Sequence, residues 1–257
     1  MMRKSLFLAA LILSAAPFTA CQRGASYDPN SAGTFFPLRP SLTWTYRFID
    51  ETRGTANTLT DRVIGQRRSG TGHAGEIESE YLGPTGMLST TILYVPEAGY
   101  FTRRSGNQGS GRFLFAEKGF LPELLKPGLS WSNSFDPFVD QPDTFHITQV
   151  HRTAFEYRDV VVPAGRFSGC IRVETDALYQ RDSSQDAEPL RLKYFDWYAP
   201  RVGLVKTLVK QSGLFGSELA RVELLKFGYV QPKTAMRSTR HAQAVSVEGS
   251  SLPALIH

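Results

Sequence analysis

Residues Cys170-Ile171-Arg172-Val173-Glu174-Thr175-Asp176-Ala177-Leu178-Tyr179 alternate over their whole length. Ile171, Val173, Thr175, Ala177 and Tyr179 fall on one side, and Arg172, Glu174 and Asp176 on the other. Successive strand side chains point to opposite faces, so this period of two predicts a strand buried on one face and wet on the other. Leu42-Thr43-Trp44-Thr45-Tyr46-Arg47-Phe48 repeats the pattern, with the large apolar residues on even positions. Strand-like runs recur at 88–95, 143–150, 190–198, 203–210 and 218–227. Between them stand turn formers: Arg53-Gly54, Gly83-Pro84, Pro96 to Gly99, Gly106 to Gly111, Pro163-Ala164-Gly165 and Ser212-Gly213.

One stretch interrupts the series. Phe120 to Gly128 reads as a single helical turn ended by Pro127-Gly128, and no segment carries long helical periodicity. The expected fold is mainly β: a single antiparallel curved sheet or half-barrel with one short helical insertion. A curved sheet of this kind encloses an interior filled either by its own side chains or by a ligand.

The chain opens with a targeting signal. Arg3 and Lys4 form a positive start, Leu6 to Ala16 is apolar but for Ser14, and Thr19-Ala20 precede Cys21. This is the anatomy of a secretory signal peptide over 1–20, too short for a membrane-spanning helix. Phe18-Thr19-Ala20-Cys21 resembles a bacterial lipobox, in which the cysteine is acylated and becomes the first mature residue. The alternative is an ordinary cleavage site with a coincidental cysteine. Acylation at Cys21 implies a membrane partner, reached through N-terminal acyl chains. Gln22 resembles the outer-membrane address of Gram-negative lipoproteins, so the expected location is the cell envelope, anchored to the outer membrane and facing the periplasm.

The 257 residues are 41% hydrophobic and 21% charged, an ordinary globular composition. Removing 1–20 takes Arg3 and Lys4 away and lowers the formal charge from +5 to about +3. No basic stripe remains to serve as a nucleic-acid footprint, so no nucleic-acid partner is expected. Residues 21–34 read as lipidated cysteine and flexible tether, 35–230 as one antiparallel β domain, and 231–257 as a disordered tail. With Cys21 acylated, Cys170 lacks an intramolecular disulfide partner, and a buried thiol is the expected solution.

Three phrases resemble those of uncharacterised bacterial secreted proteins and lipoproteins. Phe35-Phe36-Pro37-Leu38 to Trp44-Thr45-Tyr46 is similar to a "YFPL…G-x-x-W-x-Y" opening, with Ser41 where glycine is usual. Leu124 to Trp131 is similar to "L-x-P-G-x-x-W". Val160 to Phe167, Cys170 to Val173 and Trp197 to Lys206 are similar to "V-x-V-P-A-G-x-F…C-x-x-V…W-Y-A-x-x-V-G-L-V-K". The resemblance implies an all-β body distantly similar to the lipoprotein carriers LolA and LolB. It implies no established activity.

Catalytic and metal chemistry is thin. No H-E-x-x-H, C-x-x-C, P-loop or G-x-S-x-G occurs, and His146 and His151 are an odd five apart, hence on opposite strand faces. Asp136, Asp140 and Asp143 lack calcium-loop spacing. No catalytic residue, metal or cofactor is expected. Aromatic residues make up 12% of the chain. Trp44, Tyr46, Phe48, Phe145 and Trp197 are either core or the lining of a site for an apolar ligand. The leading expectation is a non-enzymatic carrier of an apolar or envelope-lipid ligand. The alternatives are an interaction module docking by sheet edges or by Phe120–Pro137, and an envelope hydrolase assembled only by folding.

Overall fold

A computed structural model describes residues 32–69, 72–83, 86–106, 113–136, 145–181, 188–211 and 217–230. The signal segment, Cys21 and the tail 231–257 lie outside these residues. Among the described residues a short helix α1 (Ala32–Phe35) is followed by thirteen strands. The first six are β1 (Leu42–Asp50), β2 (Thr55–Ser69), β3 (Gly72–Gly83), β4 (Gly86–Glu97), β5 (Tyr100–Gly106) and β6 (Phe113–Pro122). The others are β7 (Ser130–Phe135), β8 (Phe145–Thr153), β9 (Arg158–Val162), β10 (Gly165–Arg181), β11 (Leu190–Ala199), β12 (Gly203–Gln211) and β13 (Glu218–Tyr229).

They form one antiparallel sheet in the order β6-β5-β4-β3-β2-β1-β13-β12-β11-β10-β8-β7, with β9 paired to β10 beside it. The sheet curls until β6 meets β7, giving a barrel closed everywhere except at one seam. The first and last strands, β1 and β13, pair in the middle of the wall, Leu42 opposite Tyr229 and Asp50 opposite Ala220. The seam therefore falls between two strands consecutive in sequence. Pro122 ends β6 and Pro127 lies in the connection, and proline supplies no N–H for a ladder.

Alternation assigns the faces. Leu42, Trp44, Tyr46 and Phe48 point inward from β1, beside Val222 and Leu224 of β13 and Leu59 and Val63 of β2, all buried. The outer face carries charge: Arg47–Glu223 at 2.8 Å, Lys193–Glu174 at 3.2 Å and Arg62–Glu78 at 3.8 Å. On β3 and β4 the outer face instead carries a small buried apolar cluster of Ala74, Leu93 and Val95.

One end of the barrel is filled by α1 and residues 36–38. Arg201 N–H donates to Thr34 O at 2.6 Å, and Phe36 packs edge-on to Tyr94 at 4.7 Å. Leu38 lies so close to β3 that a Cβ at Gly75 would stand 2.7 Å from Leu38 Cβ. Ser41 has φ +69, the left-handed region glycine favours. Residues 32–34, read as tether, are thus part of the fold, and Thr34 is buried.

The helical insertion expected at Phe120–Gly128 is not present. Phe120 to Pro122 end β6 and the rest is a turn. Pro127 disfavours the helical region for Lys126 and cannot donate to the Glu123 carbonyl, which opposes a helical turn over 123–126.

Candidate functional site

Three of the five aromatic candidates enter the interior. Trp44 Nε1–H donates to Val202 O, Tyr46 O–H donates to Leu204 O at 3.2 Å, and Phe48 sits 6.2 Å from Tyr81. The Phe145 backbone pairs with Arg181 at the start of β8, and its side chain lies outside the described part. Trp197 is a correction. The pleat turns it outward between Arg172 and Lys206, where it stacks on Phe195 at 6.3 Å under the Lys206 ammonium. The strand phrase Trp197-Tyr198 puts only its second member inside, because adjacent residues cannot share a face.

Little space remains around the inward aromatics. The cavity between Phe36, Tyr46, Asp61, Tyr94 and Tyr198 measures about 30 Å³, room for a water or two. Its walls are partly polar. Burial pushes the Asp61 carboxyl up to about 6, although Ser79 hydrogen-bonds it, and holds the Tyr46 and Tyr198 hydroxyls well above their usual range.

Deeper in, an ionic chain crosses the seam. Arg103 of β5 meets Glu117 of β6 at 2.6 Å, and both are buried. Asn133 of β7 donates to Glu117 Oε1 at 3.2 Å, and its Oδ1 lies 3.3 Å from His151 Nε2 on β8. His151 Nδ1 reaches Thr175 Oγ1 on β10 at 2.8 Å, while Trp131 stacks on the imidazole at 4.8 Å. Burial, helped by the Arg103 charge, lowers His151 to about 4, so the ring is neutral at physiological pH. On the far wall Thr207 donates to Asp196 at 2.6 Å, and burial lifts that carboxyl to about 6. Of these positions the period-two reading marks only Thr175, and it cannot see a polar chain whose members come from five strands.

The seam itself lacks a ladder. Side chains bridge it: Trp131 Nε1–H donates to Gly119 O at 3.0 Å, and Asn133 Nδ2 to the same oxygen at 3.4 Å. Along it runs an open groove of about 410 Å³ lined by Tyr100, Lys118, Gly119, Trp131, Ser132 and Ser134.

Beside that groove, folding assembles a trio no motif announced. Ser134 Oγ lies 2.7 Å from His146 Nε2, and His146 Nδ1 lies 2.8 Å from Asp136 Oδ1. The connectivity is that of a Ser-His-Asp relay, but all three are exposed. His146 and His151 do occupy opposite faces, as their odd spacing implied. Among the described residues no group of three metal-ligating side chains converges. Cys170 is buried, its Sγ–H directed at Phe167 O at 3.3 Å, and burial pushes the thiol up to about 11, which makes it inert.

No protein-family model and no curated protein matches the chain. Two solved structures resemble it. One is a candidate lipoprotein from Parabacteroides distasonis, 16% identical, with a TM-score of 0.54 over 79% of this chain and all of that one. The other, from Bacteroides fragilis, is a candidate exported protein with a YmcC-like fold, 15% identical, TM-score 0.44, covering 76% of this chain and 99% of that one. At such identity the first likeness concerns the fold alone.

Proposed function

We propose that the chain is an exported envelope protein, acylated at Cys21, whose barrel is a non-enzymatic docking module that takes an extended polypeptide segment of another envelope protein along the β6–β7 seam. The observation that carries this reading is the groove of about 410 Å³ between two strand edges with no ladder between them. An unladdered edge offers backbone N–H and C=O groups to an added strand, and flanking side chains select the sequence. The anchor is supported by Phe18-Thr19-Ala20-Cys21 and by the lipoprotein description of the Parabacteroides fold neighbour. Gln22 supports the outer membrane, facing the periplasm.

A photo-crosslinking residue at Lys118 or Ser132, in cells, is expected to give one discrete polypeptide adduct. The same probe at Arg62, on a different part of the wall, should give none. Equal adducts at all three sites, or none at the seam, removes the docking reading. Cys21→Ser is expected to abolish acyl labelling and release the protein from membranes; unchanged fractionation removes the anchor.

The second reading is a carrier of an apolar or envelope-lipid ligand. The inward Trp44, Tyr46 and Phe48 favour it. The small interior space requires the seam to open for entry, and native mass spectrometry of detergent-free protein should then show a bound lipid mass.

A further inference from the structure

The two ends of the barrel differ. At the α1 end, loops that are distant in sequence bring apolar groups together in the open. Phe155 is 86% exposed, Val161 69% and Leu124 55%, and Tyr157 is 43% exposed. Contacts tie three of these segments together: the Tyr157 ring stacks on Phe35 of α1 at 6.2 Å, and Phe155 lies against Gly128 in the loop that carries Leu124. Gly128 N–H donates to Ala154 O, tying those loops together. Val161 faces away from the core on β9, between the buried Val160 and Val162. Single exposed apolar residues are ordinary, but a cluster including two aromatic rings marks a contact surface.

The chain upstream says what that surface meets. Residues 22–31 separate Cys21 from α1, and ten residues span at most about 35 Å. An acyl chain on Cys21 therefore keeps this end near the bilayer. A tether of that reach still lets the barrel roll, so it does not set orientation by itself; the apolar rim does. Aromatic rings with a polar edge sit at the headgroup boundary, and exposed cations there meet lipid phosphates. Lys126 stands exposed in the Leu124 loop beside Glu123, and Arg158, next to Tyr157, lies 3.9 Å from Glu156.

We propose that the α1 end lies on the bilayer, with Leu124, Phe155, Tyr157 and Val161 seated at its headgroup boundary, so that the barrel stands on the membrane and its seam faces sideways to a partner. This rests on the anchored reading. The opposite end supplies a fair control, because Met87 at the start of β4 is also apolar and 65% exposed.

The test uses the full-length acylated protein reconstituted in phosphatidylethanolamine–phosphatidylglycerol vesicles. Phe155→Cys, Val161→Cys and Met87→Cys, each in a Cys170→Ala background, carry an environment-sensitive fluorophore, and doxyl-labelled lipid is the quencher. Labels at 155 and 161 are expected to be quenched several-fold more than the label at 87. Equal quenching at all three, with the protein still on the vesicles, overturns this orientation and leaves the anchor standing. Failure to stay on the vesicles overturns the anchor and the orientation with it.

Discussion

The Arg103 guanidinium sits 2.6 Å from the Glu117 carboxylate, inside the barrel on the two strands that precede the seam. An ion pair removed from water is stable only while both members stay, since the Coulomb attraction roughly offsets two desolvation penalties. Glu117 also receives Asn133 from across the seam, so it holds a charge and a closure at once.

Glu117→Ala leaves the Arg103 cation buried beside a missing partner. A loss of about 3–5 kcal/mol is expected. At roughly 2–4 °C per kcal/mol for a fold of this size, the melting temperature should fall by about 10 °C. The double variant Arg103→Met/Glu117→Leu removes both charges and should recover most of it. Calorimetry decides: a single variant within about 1 kcal/mol of the parent shows that the pair is not sealed.

Acid titration should show two opposing contributions. Asp61 and Asp196 are raised from 3.8 to about 6, so between pH 4 and 6 the folded chain holds protons the unfolded chain has released. At neutral pH both buried carboxylates are ionised at a cost to the fold, and that cost fades as pH falls through 6 towards 4. His151, lowered from 6.5 to about 4, acts the other way: the unfolded chain takes its proton first, and stability falls as pH drops below 6.5. Asp61→Asn should therefore stabilise at pH 7.5, by on the order of 1–3 kcal/mol, and match the parent at pH 4. His151→Gln should remove the acid loss. Melting temperatures from pH 4 to 8 test both, and an Asp61→Asn effect independent of pH ends the assignment.

Long strands with mostly apolar inward faces were legible in the sequence; short β9, despite Val160 and Val162, and most strands with polar inward faces were not. β1, β4, β8, β10, β11, β12 and β13 all contain a run read as a strand. β5 hid because its inward residues are Phe101, Arg103 and Ser105, and β7 because Asn133 points in beside Trp131. β2 places Asp61 between Leu59 and Val63 on its buried face. A barrel this wide has an interior too large for aliphatic side chains alone, and the ionic chain that fills it breaks the alternation of hydrophobicity while keeping that of direction. The site suffered likewise: Trp44 and Tyr46 were found by their period, whereas Arg103, Glu117 and His151 become a unit only when β5 to β10 meet. Trp197 went the other way, since an aromatic residue on a wet face can be covered by Phe195 and Lys206.

The seam should respond to Trp131 separately from the rest of the wall. Trp131→Phe keeps the ring near His151 but deletes the bond to Gly119 O. A net loss of about 1 kcal/mol is expected, confined to local opening. Amide exchange in β6 and β7 should accelerate about fivefold while β1, β12 and β13 keep their protection. Uniform acceleration would mean that the seam has no separate opening. If the docking reading holds, the same variant should weaken adduct formation at Lys118.

The Ser134–His146–Asp136 trio resembles hydrolytic machinery, and its chemistry can be judged from its setting. A relay needs three things: a base on the serine, donors aimed at the developing oxyanion, and a water-poor pocket holding substrate. His146 supplies the first. All three members are solvent-exposed, so water competes for the serine proton and for any acyl group. The geometry has a simpler origin. Phe135 pairs with Ile147, so the next positions along the ladder bring Asp136 opposite His146, an opposite-charge cross-strand pair when the ring is protonated. Ser134 lies on the same outer face, two residues before Asp136. A fluorophosphonate probe is therefore expected to label the protein no faster than it labels Ser134→Ala, and hydrolysis of an activated ester should be unchanged by His146→Gln. A stoichiometric adduct at Ser134 that disappears in His146→Gln would replace the docking module with an envelope hydrolase, and would place its substrate in the groove that Ser134 already lines.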